Sequence, residues 1–161
     1  LDRVNLHTEI ISTDTFPVWI KGEQLEIPYR IYLDKKNLNL KADFTPTQAN
    51  ILESLYSRHY DGHVREKCAR SIIASKNIWV VPFVIRLVGE YVLEILQVIK
   101  NHLGDIDCDI YREFLNENPY FYETNKRRVM SYWNCYYRNE YWQRDQYAGF
   151  QIIEYFDHLL K

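Results

Sequence analysis

The stretch IWVVPFVIRLVGEYVLEILQVIKNHL, residues 78–103, decides the fold. From Ile78 to Ile99 almost every residue is apolar, and the run is long enough to cross a bilayer. Arg86, Glu90 and Glu94 stand inside it, and each charge near the centre of a span costs on the order of 3 kcal/mol. The better reading is a single long helix, entered near Pro82 and enclosed by other helices in a soluble core, with no membrane partner. Its polar stripe is Arg86, Glu90, Glu94 and Gln97, spaced four, four and three. Enclosed charges have to be paired. Arg86 pairs with Glu90 at i,i+4 in this reading, and Glu94 draws a cation such as Arg65, Lys67 or Lys126.

Outward from this stretch, helix signals recur. Upstream, Thr45-Pro46 with Gln48 marks a helix start, with Thr45 as cap and Pro46 in the first turn. That helix runs to about Tyr60. Asp61 caps a second one, His63 to about Ala74, whose buried stripe is Val64, Cys68, Ile72 and Ile73. Downstream, Gly104 is a stop, and Asp105 and Asp107 offer caps for a helix from about 109 to 116. Asn118-Pro119 opens another, 120 to about 139. The last runs from roughly Gln143 to Leu160, with Tyr147, Phe150, Ile152, Ile153, Phe156 and Leu160 inward.

Further upstream, Phe16–Ile20 and Leu25–Leu33 flank the short turn segment Lys21-Gly22-Glu23-Gln24, which is a hairpin signal. Pro17 and Pro28 make its strands edge-like, so the hairpin must lie on the helices or pair with another chain. Residues 1–15 read as irregular and 34–43 as a polar connector. No Gly/Ser-rich linker divides the chain. The expectation is one domain, mainly α: a multi-helix bundle or HEAT-like helical array over 44–161, preceded by an N-terminal segment, 1–43, with a short β-hairpin.

The totals agree. The chain has 161 residues, 47% hydrophobic and 26% charged, with only 5 Gly and 5 Pro, so a disordered or fibrous chain is excluded. A net charge of −2 excludes nucleic-acid binding through overall positive charge. Three scattered cysteines without a C-x-x-C fit a reducing compartment. Asp2, Arg3, His7 and Glu9 occupy the place of a signal-peptide core, so a cytoplasmic location is expected.

The pair of helices over 46–74 resembles a HEAT-type hairpin, carried by Asp61-Gly62-His63-Val64-Arg65 and Cys68. Asp61 would cap, Val64 face the core, Arg65 line the turn, and Cys68 stand where the family usually has alanine. No second copy occurs at the period of about 40 residues that a solenoid needs. The segment 45–65 is also similar to small bacterial proteins of uncharacterised function. The HEAT resemblance implies a scaffold that binds another macromolecule.

Three constellations could carry chemistry. His59 and His63, with Arg58, Asp61 and Arg65, crowd one inter-helix turn. The two histidines are four apart but Gly62 interrupts the helix and no third histidine follows, so a solvated capping turn is the plainer reading and no metal or cofactor is expected. Glu90 and Glu94 could be acid–base groups with pKa raised by burial. Neither has a histidine three residues on, as a di-metal bundle would require, and a structural ion pair is the competing reading. Third, residues 120–147 hold ten aromatics, and five bases against three acids leave a local charge of +2. Arg127, Arg128, Tyr132, Trp133, Tyr136, Tyr137, Arg138, Tyr141 and Trp142 have the composition of protein interfaces. Aromatics interleaved with arginine can also stack bases of single-stranded nucleic acid. One helix has one buried face, so some of these rings must reach the surface. The residues thus point to a small intracellular, adaptor- or immunity-like interaction module. Its partner would be another protein or a second copy. An enzyme with a His/Glu pocket and a nucleic-acid binder are the alternatives.

Overall fold

A computed structural model of the chain describes residues 11–12, 14–32 and 44–161. The connector expected at 34–43, and residues 1–10 of the segment read as irregular, lie outside the described residues. The fold is mainly α with an N-terminal hairpin. Its strands are β1 (Ile11–Ser12), β2 (Thr15–Ile20), β3 (Glu23–Pro28) and β4 (Ile31–Tyr32). Its helices are α1 (Pro46–Tyr56), α2 (Gly62–Ile72), α3 (Val81–Val88), α4 (Leu93–Asn101), α5 (Cys108–Glu117), α6 (Pro119–Tyr132) and α7 (Ala148–Leu159). None of the described helices is long and apolar enough to cross a membrane.

The caps act as their chemistry requires. Thr45 and Gln48 form a reciprocal capping box. Asp61 accepts from His63 N–H at 2.9 Å, and Asp107 accepts from Asp109 and Ile110 N–H. β2 and β3 pair antiparallel in register Ile20↔Glu23 through Thr15↔Pro28. The turn between them has positive φ at both Lys21 (53°) and Gly22 (81°), the conformation that matches strand twist in a two-residue hairpin. Phe16, Val18 and Ile27 drop from the hairpin into the main core, among residues of α2 to α7. The junction of α5 and α6 holds it from the side. The Asn118 side chain accepts from Trp19 N–H and donates to Trp19 C=O, both at 2.7 Å, and the Glu117 carboxylate accepts from Lys21 and Gly22 N–H.

Four expectations need correction. Residues 11–12, read as irregular, form strand β1, paired with β4. The helix read to Tyr60 stops at Tyr56, because Ile31 pairs with the following chain: Ile31 N–H donates to Arg58 C=O and Tyr60 N–H to Ile31 C=O. The last helix is entered only at Ala148, after a short 3-10 turn at Arg144–Gln146 and an extended Tyr147. Most consequentially, 78–103 is not one helix. A 3-10 turn at Ile78–Val80 leads into α3, and Gly89-Glu90-Tyr91-Val92 separates α3 from α4.

Candidate functional site: a tyrosine and arginine surface over a buried arginine cage

The break between α3 and α4 turns Glu90 inward and Tyr91 outward. On the inner side, Glu90 is 1% exposed and its carboxylate meets three guanidinium groups. Arg30 donates at 2.6 Å, Arg58 at 2.9 Å, and Arg65 stands 3.7 Å away. They come from the bend between β3 and β4, the turn after α1, and α2. Burial pushes the Glu90 carboxyl up, but Arg58, Arg30 and Arg65 outweigh it and hold it at about 2. Burial also pulls Arg58 down to about 9 and Arg86 to about 10, so both remain cations at neutral pH.

For Glu90 this is a buried ion-paired arrangement, with the carboxyl lowered where the acid–base reading needs it raised. The Glu90 carboxylate takes Arg30, Arg58 and Arg65 in place of Arg86, which donates to Asn125 and lies over the Tyr29 and Phe16 rings. Glu94 is exposed, Arg65 stands against Glu90, and Lys126 bridges Glu123 and Asp157 instead. His59 is buried, its Nδ1 accepting from Asp61 N–H, while His63 is exposed. Among the described residues no group of three or more His, Cys, Asp and Glu is placed to hold a metal.

On the outer side, α6 clamps the same break. Arg128 Nε donates to Gly89 C=O at 3.0 Å, and the Tyr137 hydroxyl to Tyr91 C=O at 2.5 Å. A Cβ on Gly89 would stand 2.5 Å from Asn125 Oδ1, so only glycine allows α6 this close. α6 then widens into a π turn at Trp133–Tyr137, closed by Arg138 N–H to Trp133 C=O. Such one-turn widenings often coincide with functional sites. Arg128, Tyr132 and Tyr136 follow at intervals of four along the outward stripe. The Tyr91 ring lies 5.8 Å from Tyr132 and 6.3 Å from Tyr136, and Tyr132 lies 6.2 Å from Tyr136. Arg128 covers the Tyr132 ring and donates to its hydroxyl. Yet Tyr91 is 50% and Tyr136 67% exposed.

The other residues singled out in the sequence separate by depth. Trp133 is interior, at 5% exposure: its indole N–H donates to Tyr141 C=O and its ring meets Phe150 edge-on. It anchors the core, and the guanidiniums of Arg138 and Arg144 close over it. Tyr137 and Tyr141 are half-buried against Tyr147. Burial, then Glu94, raises the Tyr137 phenol. Arg127, Arg138 and Trp142 are exposed. Sequence reading missed Tyr91, which lies in the apolar run that was taken as enclosed.

The chain matches no protein-family model, and no curated protein and no solved structure proved similar to it. The likeness of 46–74 to a HEAT hairpin therefore rests on those residues alone.

Proposed function

We propose that this domain is a protein-binding module whose docking face is the Tyr91–Tyr132–Tyr136 cluster with Arg127, Arg128 and Arg138. The observation that carries the reading is that three tyrosines pack on one another and on Arg128 while two of them remain at least half exposed. Rings already held in place lose little side-chain freedom on docking, and tyrosine with arginine is the composition of interface anchors. The arginines favour a partner surface carrying carboxylates, and a separate protein suits them better than a second copy of this face, which would set arginine against arginine.

The test is a photo-crosslinking residue in place of Tyr136, with the same residue in place of Glu113 as control, irradiated in extract of the source cells. Discrete crosslinked proteins at 136 and not at 113, lost when Tyr91→Ala and Arg128→Gln are added, support the reading. Crosslinks to nucleic acid at 136, with affinity falling steeply with salt, move it to single-strand binding. A crosslinked dimer of the chain moves it to self-association. Equal patterns at the two positions defeat it.

A further inference from the structure

The two edges of the β2–β3 hairpin differ. In a hairpin closed by a two-residue turn, Ile20↔Glu23, Val18↔Leu25 and Phe16↔Ile27 exchange the ladder hydrogen bonds, and the residues between them point their main chain outward. On β2 this edge is interrupted: Asn118 takes both groups of Trp19, and Pro17 has no N–H, so a run of donors is broken there. On β3 the outward residues are Gln24 and Glu26. Among the described residues nothing bonds their main-chain N–H or C=O, and both are exposed. The β2 edge is therefore blocked at Trp19 and Pro17, whereas the β3 edge offers two complete residues in alternation.

The open edge also carries a chemical preference. β3 reads Glu-Gln-Leu-Glu-Ile-Pro over 23–28, with two acids and no base. The Glu26 carboxylate is held by two neutral donors, Thr15 Oγ1 at 2.7 Å and Gln24 Nε2 at 2.6 Å, so it is oriented but not neutralised by a cation. Leu25 points to the core side of the sheet yet is 38% exposed, because the sheet ends beside it. An added strand would extend that apolar side. We infer that the β3 edge accepts an extended polypeptide segment with basic and apolar residues in alternation. Its main chain pairs with Gln24 and Glu26, one row of its side chains lies beside Leu25, and the other row, basic, lies near Glu26 on the opposite face. A second copy of β3 is the poorer occupant, since it would add two further carboxylates and no base to this edge.

The probe is a fluorescein-labelled peptide of alternating lysine and valine, followed by anisotropy against the full chain at about physiological salt. The control is the same peptide N-methylated at the residues whose N–H would face β3. Saturable binding, weakened at least tenfold by N-methylation and by Gln24→Pro, supports the inference. So does comparable weakening by Glu26→Gln at an unchanged thermal midpoint. Tyr136→Ala should leave this binding unchanged, which separates it from the docking face on α6. No binding, or equal binding of the N-methylated peptide, overturns it whatever the Gln24→Pro chain does. Reversible dimers that are lost in Gln24→Pro, in place of peptide binding, overturn the choice of occupant.

Discussion

Glu90→Gln removes the carboxylate that Arg30, Arg58 and Arg65 surround, and almost no volume. Arg58 would then stay buried without its carboxylate partner, and Arg30 would lose its 2.6 Å partner. Breaking a buried pair by deleting one partner costs about 3–5 kcal/mol. The titration of Glu90 gives a similar figure. A carboxyl held at about 2 rather than the ordinary 4.5 gains about 3 kcal/mol from its surroundings on ionising. Urea unfolding followed by circular dichroism reads this directly. With a slope of about 2 kcal/mol/M, the midpoint falls by roughly 2 M, and the thermal midpoint by roughly 6–20 °C. The pH dependence has a fixed sign. The folded-state pKa lies below the unfolded one, so this stability is present above about pH 4.5 and is lost as pH falls toward 2. Wild type should therefore lose about 3 kcal/mol more than Glu90→Gln across that window. Adding Arg58→Met to Glu90→Gln removes a buried cation and should restore part of the loss. A midpoint for Glu90→Gln within about 0.5 kcal/mol of wild type, at unchanged slope, would refute the cage as the anchor of the α3–α4 break.

Gly89→Ala drives a methyl against Asn125 Oδ1, and calorimetry should show a loss of about 1–3 kcal/mol. Asn118→Ala frees both main-chain groups of Trp19. Hydrogen exchange at the Trp19 amide should accelerate at least tenfold, with a stability loss of about 1–3 kcal/mol. Trp133→Ala should cost about 3–5 kcal/mol in urea, whereas Trp142→Ala, at 69% exposure, should stay within about 0.5 kcal/mol. Comparable losses at the two tryptophans would contradict their assignment to interior and surface.

What the sequence makes legible here is local. Thr45 with Gln48, Asp61, Asp107 and Pro119 announce helix starts through groups within three residues of one another. The Gly22 turn announces the hairpin in the same way. The break at 89–92 leaves no such trace, because apolar residues continue on both sides. What holds it comes from Arg30, Arg58 and Arg65, which are 60, 32 and 25 positions away from Glu90. Helical spacing therefore suggested Arg86 as Glu90's partner, while the fold supplies arginines from three other elements. The aromatic-rich stretch was visible as composition, but composition cannot assign depth. Trp133 and Tyr136 lie three positions apart, and the π turn between them sends one ring inward and the other outward.

The proposed docking face is tested most directly by hydroxyl-radical footprinting of the tyrosines, with the isolated chain compared to the same chain at native abundance in extract of its source cells. The account predicts that Tyr91, Tyr132 and Tyr136 become protected together in the extract, while Tyr120, more open than any of them in the isolated chain and outside the cluster, stays reactive. Unchanged reactivity at Tyr136 alongside protection elsewhere would contradict it.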